Sequence, residues 1–231
     1  MPLKRVLLLK PGVTSSRALL GDYEQWFEEA VAPLATMHPV ELHAGERVPG
    51  LRGFDAIIMT GSPLSVTAPA PWMEAAADAM LNAAEQGVPV LGVCFGHQLL
   101  AWRLGATVRR NPRGLELGTV TVALTSEGRG DPLFDGAPEQ LEVQATHFDE
   151  AARLPETVCL LATNEASAVQ AFAFGARVRG VQFHPEMNAA SIRFCIANEK
   201  SLDGAARARL DAGAVDSPWG ARVLRNFVTR F

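Results

Sequence analysis

Val88-Pro89-Val90-Leu91-Gly92-Val93-Cys94-Phe95-Gly96-His97-Gln98-Leu99-Leu100 is the stretch whose reading decides the fold. Residues 88–93 are an apolar run that suits a buried strand. The run halts at Gly-x-Cys-x-Gly, and Gln98-Leu99-Leu100-Ala101-Trp102 then suits a helix. A reactive side chain at a tight strand-to-helix turn is the nucleophile-elbow arrangement. The turn pushes the side chain out of the sheet and aims the first backbone N–H groups of the helix, at its positive end, toward it. Those surroundings favour the thiolate, the nucleophilic form of cysteine. Gly92 and Gly96 leave room for the turn and for the close approach of a ligand. An inert, buried cysteine satisfies the same stretch, so the choice falls to the rest of the chain.

Residues 5–9 form another continuous apolar run, as in a buried central strand, and Pro11-Gly12 breaks it. Tyr23, Trp26, Phe27, Ala30, Val31 and Leu34 recur at helical spacing, with Asp22 placed as an N-cap. Strands are expected at 39–43 and 55–59, the latter running into Thr60-Gly61-Ser62-Pro63, and a helix over 71–86 stops at Gly87. Strand and helix alternating over the first hundred residues predict an α/β fold, a parallel sheet flanked by helices on both faces. Later strands at 118–124, 140–145, 158–162, 168–174 and 178–183, with short turns, predict an antiparallel portion set against its edge. An Ala-rich segment, 204–214, suits a helix exposed on one face. A last helix, opened by Ser217-Pro218, lines up Trp219, Val223, Leu224, Phe227 and Val228 to pack on the body or dock a partner. No linker, repeat or low-complexity tract interrupts the sequence. One domain over 1–231 is expected, with a helical extension at about 201–231.

The 231 residues are 48% hydrophobic and 20% charged, enough for one full core. A net charge of −4 and the lack of a long Lys/Arg block argue against nucleic acid as a partner, and Arg109-Arg110 with Arg113 reads as a solvated loop. No run approaches the roughly 20 apolar residues that cross a bilayer, and the first ten residues show no leader pattern. Three widely spaced cysteines suit reduced thiols in a cytoplasmic protein. Cys159 reads as core and Cys195 as a structural residue on a helix. Zinc spacings, phosphate loops and dinucleotide fingerprints are missing from the sequence, and no metal or other cofactor is expected.

A cysteine nucleophile needs a base, and the base an orienting acceptor. Among five histidines, His38 and His43 flank an early strand, His97 shares the turn of Cys94 and has little freedom to aim, and His147 follows a strand. His184 is better placed. Gly180-Val181-Gln182-Phe183-His184-Pro185-Glu186 ends an apolar strand at the carboxyl edge of the sheet, where open α/β sheets hold ligands. Glu186 can reach back to one imidazole nitrogen and leave the other facing the thiol. Gly61 and Ser62 fit one side of an oxyanion hole, and the N–H of Phe95 the other. Each piece alone also suits an ordinary turn.

Taken together, Gly92-Val93-Cys94-Phe95-Gly96-His97-Gln98, Gly61-Ser62-Pro63, Thr146-His147-Phe148-Asp149 and Gly180 to Glu186 resemble the class I (triad-type) glutamine amidotransferase family. They stand in that family's order and look most like the free-standing relatives of the GMP synthase amidotransferase domain. The resemblance implies a flavodoxin-like α/β core with an added antiparallel portion. It implies that Cys94 attacks the side-chain amide of glutamine, His184 shuttles protons and Glu186 orients His184. Gln98 and the backbone around Phe148 and Asp149 would hold the amino-acid end of the substrate. The sequence departs from the pattern at Ser62, where many members have a second glycine. Residues 187–231 also leave no room for a synthetase domain. Three functions are therefore carried forward: a glutaminase that passes ammonia to a separate synthetase partner, a stand-alone hydrolase of γ-glutamyl amides or peptides, and a non-enzymatic binding protein on the same scaffold.

Overall fold

The computed structural model describes residues 2–231. Its first half runs β1 (Lys4–Lys10), α1 (Arg17–Leu20), α2 (Tyr23–Val31), β2 (Ala35–Glu41), β3 (Ala56–Met59), α3 (Pro71–Glu85), β4 (Val90–Val93) and α4 (Phe95–Arg103). There follow β5 (Thr107–Arg110), β6 (Glu116–Leu124), α5 (Ser126–Gly130), β7 (Gln140–His147), β8 (Asp149–Arg153) and β9 (Cys159–Thr163). The chain closes with β10 (Ala171–Phe174), β11 (Val178–Val181), α6 (Ala189–Asn198), α7 (Gly204–Gly213) and α8 (Pro218–Arg230).

Nine strands form one sheet in the order β2-β1-β3-β4-β11-β10-β9-β6-β7. From β2 to β11 every pair is parallel. From β11 onward every pair is antiparallel. The antiparallel portion therefore continues the parallel sheet through β11, which lies beside β4. The two-residue period of β1 sorts its side chains onto two faces. Val6 and Leu8 join the core beneath α2 and α8, while Leu7 and Leu9 join the core beneath α3 and α4. Both cores need helices over them, which is why the alternating strand-helix pattern is also the layer pattern.

Local chemistry sets the element ends. Asp22 caps α2 by accepting the Tyr23 N–H at 2.9 Å, and its own N–H donates to Gln25 Oε1 at 2.7 Å. The second strand begins earlier than the sequence pattern placed it, because Ala35 to Glu41 pair along the whole of β1, and residues 42–44 turn into a 3₁₀ helix. The basic spot is no loop: Arg109 and Arg110 lie on β5, which pairs antiparallel with β8 in a separate two-stranded sheet. Glu150 holds Arg109 there at 3.1 Å, and Arg110 stacks 4.0 Å from the Phe148 ring centre. Cys159 corrects a second expectation. It is exposed at the first residue of β9, where the apolar run supplies burial only further along. α7 buries no residue fully, whereas α8 seats Val223, Leu224, Phe227 and Val228 against the body, with Arg225 Nε donating to the Ala30 carbonyl at 2.9 Å. Among the described residues no helix is long and apolar enough to cross a membrane.

The glycines around Cys94 make room for the turn, as read in the sequence, but the space they leave is not a ligand's. A Cβ on Gly92 would stand 2.4 Å from the Gly96 carbonyl oxygen, and one on Gly96 would stand 2.6 Å from that of Met59. The space they leave is filled by the protein's own backbone, with the first turn of α4 lying directly over β3 and β4. Gly96→Ala is expected to lower stability by about 1–3 kcal/mol through overpacking. Gly204→Ala, whose Cβ would meet nothing within 4 Å, is expected to change it by less than about 0.5 kcal/mol. Urea denaturation of the two variants beside the parent checks both.

Candidate active site

Three adjacent parallel strands deliver the site. Met59 is in register with Gly92, and Val93 with Val181, so the residues just beyond β3, β4 and β11 emerge side by side at the carboxyl edge. These are Gly61, Cys94 and His184. Open α/β sheets place ligands at this edge.

Cys94 sits at φ 49°, ψ −97°, and among the described residues it is the one non-glycine with positive φ. Two hydrogen bonds hold it there: its N–H donates to the Val181 carbonyl at 2.9 Å, and its carbonyl accepts the Gln98 N–H at 3.0 Å. Its Sγ lies 3.9 Å from the Thr146 carbonyl oxygen. Phe95, the first residue of α4, has an N–H without an acceptor one turn earlier, so that donor is open to an anion beside the sulfur.

His184 is fixed at its backbone by the Gln144 carbonyl, 2.8 Å from its N–H. Its Nδ1 is 2.8 Å from Glu186 Oε1, and both side chains are buried. The partnership at Nδ1 leaves Nε2 as the nitrogen without that partner. Burial works to lower the imidazole pKa, but the Glu186 carboxylate and the Cys94 sulfur outweigh it and hold the value well above the ordinary 6.5. The strand-ending step itself is buttressed from outside, since a Cβ on Gly220 of α8 would stand 2.7 Å from the Pro185 oxygen. Gly61 closes the third side. A Cβ there would fall 2.6 Å from His184 Cε1 and 3.6 Å from Cys94 Cβ, so bare backbone is what lets this turn meet the other two residues.

The remaining predicted residues lie around this centre. Ser62 points away from it: its Oγ donates to the Pro11 carbonyl at 3.3 Å and accepts the Leu64 N–H at 3.1 Å. Only its backbone is left to face the sulfur. Gln98 is buried, and its Nε2 donates to the Asp149 carbonyl at 2.8 Å and to Gln182 Oε1 at 3.2 Å. Both amide hydrogens are thereby used, and Oε1 is the atom left for a ligand. The Phe148 carbonyl accepts the Asn111 N–H at 2.9 Å, and the Asp149 side chain accepts a hydrogen bond from Ser65.

The other histidines have separate surroundings. His97 lies on the buried side of α4 with its ring 5.0 Å from that of Phe172, and neither nitrogen has a hydrogen-bond partner. Burial drives its pKa down to about 3, offset in part by the backbone of Gly180, so the ring is neutral. His147 is clamped between Glu116 Oε2 at 2.8 Å and the Asp149 carbonyl at 2.9 Å. Glu116 also takes Asn164 at 2.6 Å and Gln170 at 2.8 Å. Glu116 and Ser65 were not singled out in the sequence. Glu116 stands opposite His147 in the β6–β7 register, a signal readable only once that pairing is known. Among the described residues no group of three or more His, Cys, Asp or Glu is placed to hold a metal ion.

Known proteins resemble this chain in sequence and in fold. The family model described as glutamine amidotransferase class-I matches residues 30–193. A subunit of the glutamine-hydrolyzing GMP synthase of Saccharolobus solfataricus is 38% identical over 140 residues, which cover 59% of this chain and 70% of the relative. The glutamine-hydrolyzing GMP synthase of Aeropyrum pernix is 36% identical over 164 residues, covering 71% of this chain but 30% of the relative. The chain thus spans less than a third of that longer relative. The solved structure of a glutamine amidotransferase from Thermotoga maritima superposes with a TM-score of 0.80 at 22% identity, over 100% of this chain and 98% of the other, and shows the same fold.

The raised pKa of His184 has a consequence for stability. A group whose pKa is higher folded than unfolded stabilises the protein fully below its unfolded value, and the contribution is lost as pH rises through the folded value. The stability difference between the parent and His184→Gln is therefore expected to be largest below pH 6.5 and to shrink as pH rises above it. Urea denaturation at a series of pH values from 6 upward checks the direction.

Proposed function

The chain belongs to the class-I glutamine amidotransferase family, and on that premise we propose that it hydrolyses the side-chain amide of glutamine to glutamate and ammonia. The observation that carries the reading is the convergence of Cys94, on a strained elbow, with a buried His184–Glu186 pair at 2.8 Å. In this mechanism the Cys94 thiolate attacks the amide carbon, and the negative charge that develops on oxygen falls toward the N–H of Phe95 and the backbone of Gly61 and Ser62. His184, as imidazolium, gives its proton to the departing nitrogen. The C–N bond breaks, ammonia leaves and a γ-glutamyl thioester remains on Cys94. The neutral His184 then takes a proton from water, whose oxygen attacks the thioester. Glutamate departs and the thiolate–imidazolium pair is restored. Glu186 keeps the ring in the tautomer that both steps need. Gln98, Phe148 and Asp149 hold the amino-acid end of the substrate.

The relatives named GMP synthase support a nitrogen acceptor of the synthetase kind, a separate enzyme to which the ammonia passes. The chemistry draws on the protein's own side chains and backbone and calls for no cofactor. Residues 1–231 act as one catalytic unit, with 201–231 as a helical extension whose last helix buttresses Pro185. Three unpaired cysteines suit the reducing cytoplasm.

Purified protein offered glutamine, γ-glutamyl peptides and glutathione is expected to release glutamate and ammonia from glutamine. Release from the peptides alone would move the reading to a γ-glutamyl hydrolase. Absence of an acyl-enzyme with all three would leave only a binding role. Cys94→Ala is expected to abolish turnover, and His184→Ala to lower kcat by about 10² or more. His97→Gln is expected to cost far less, and a greater loss there than at His184 would overturn the assignment of the base.

A further inference from the structure

Residues 60–70, between β3 and α3, carry one wall of the site, and a polar contact across the mouth fastens them. Ser65 Oγ donates to Asp149 Oδ2, a bond between residues 84 positions apart in sequence. On its own side Ser65 organises the loop, its Oγ accepting the Thr67 N–H at 3.1 Å and its carbonyl accepting the Ala68 N–H at 3.2 Å. Val66 anchors the next position in the core beneath α3. Four residues before Ser65, Gly61 rests against His184 and Cys94. Asp149 is as firmly held at its backbone, where its carbonyl receives both Gln98 Nε2 and His147 Nδ1. Its carboxylate reaches the loop through Ser65.

We propose that Ser65 is a positioning residue that couples recognition of the substrate's α-ammonium group at Asp149 to the placement of the Gly61-Ser62 backbone beside Cys94. The inference rests on the glutaminase reading above. A carboxylate has about four acceptor sites, and Ser65 takes one. An ammonium can therefore bind Asp149 without expelling the hydroxyl, in a charge-assisted hydrogen bond that fixes the carboxylate further. With Asp149 fixed, Ser65 is fixed, and the oxyanion-side loop is held in register with the sulfur. A substrate lacking a free amino group forgoes that coupling. Since small displacements at a reacting centre are costly in rate, the effect belongs in kcat more than in KM.

The test compares two reagents for Cys94: 6-diazo-5-oxo-L-norleucine, an electrophile with a free amino-acid end, and iodoacetamide, which has none. Ser65→Ala is expected to slow reaction with the diazo ketone, and kcat for glutamine, by about tenfold. Its iodoacetamide rate should stay unchanged, and Ser65→Thr should restore the parent behaviour. Asp149→Asn should slow the diazo ketone as well, and the double variant should be no slower than the worse single one, because the two residues act through one contact. Full additivity of the two losses, or an equal slowing of both reagents in Ser65→Ala, would overturn the proposal. A parent that hydrolyses glutamine together with an unimpaired Ser65→Ala would overturn this inference alone. A parent that takes iodoacetamide but neither glutamine nor the diazo ketone would overturn the glutaminase reading and this one with it.

Discussion

One residue, Cys94, is held at φ 49°, ψ −97°, and the rest of the molecule is arranged to keep it there. A non-glycine residue in such a region costs about 1–3 kcal/mol and persists only where its neighbours over-determine it. Here the neighbours are the Val181 carbonyl on one strand, the first turn of α4 on the other side, and two glycines whose missing side chains let backbone cross backbone. The consequence is directional. The sulfur leaves the sheet at the helix N-terminus, where N–H groups are free of intrahelical acceptors.

The parallel register multiplies the effect. β3, β4 and β11 end at nearly the same height, so an elbow after one strand meets a glycine turn after the second and a His-Pro-Glu step after the third. β11 is also where the sheet changes from parallel to antiparallel, and Gln144 of the antiparallel portion holds the backbone of His184. The antiparallel strands are thus part of the site's support. β7 ends in His147, which holds the Asp149 carbonyl together with Gln98 of α4.

Buried charge is concentrated on the same edge. Lys10, fully buried at the end of β1, meets Asp22 at 2.9 Å, Glu24 at 2.5 Å and Glu41 at 2.8 Å. Asp22 is also the cap of α2, so this cluster sets where the helix starts. Such groups add little net stability when complete, yet breaking one leaves an uncompensated charge that costs about 3–5 kcal/mol. Lys10, Glu116 and His147 are therefore better understood as fixing geometry than as supplying stability.

Much of this protein is legible in its residues taken in order. The apolar runs mark the strands, since a strand buried on both faces must be apolar throughout. Asp22 and Ser217 mark helix starts because a cap acts on its own N–H neighbours. Gly-x-Cys-x-Gly and His-Pro-Glu mark the proposed nucleophile and base, because their chemistry is carried within a few residues of chain. What depended on pairing stayed hidden. β5 is short, mostly exposed and basic at Arg109 and Arg110, with no alternation to mark it, so its basic spot passed for a loop. Cys159 passed for core because an apolar neighbourhood does not say which residue begins the strand. Glu116 needs its register with His147, Lys10 its three acids, and Ser65 a partner 84 positions away. Local sequence determines elements and reactive groups, because propensity and chemistry act at short range. Only the tertiary structure decides which polar groups meet, because each such contact follows from strand order and register and from the close approach that bare glycine backbone allows.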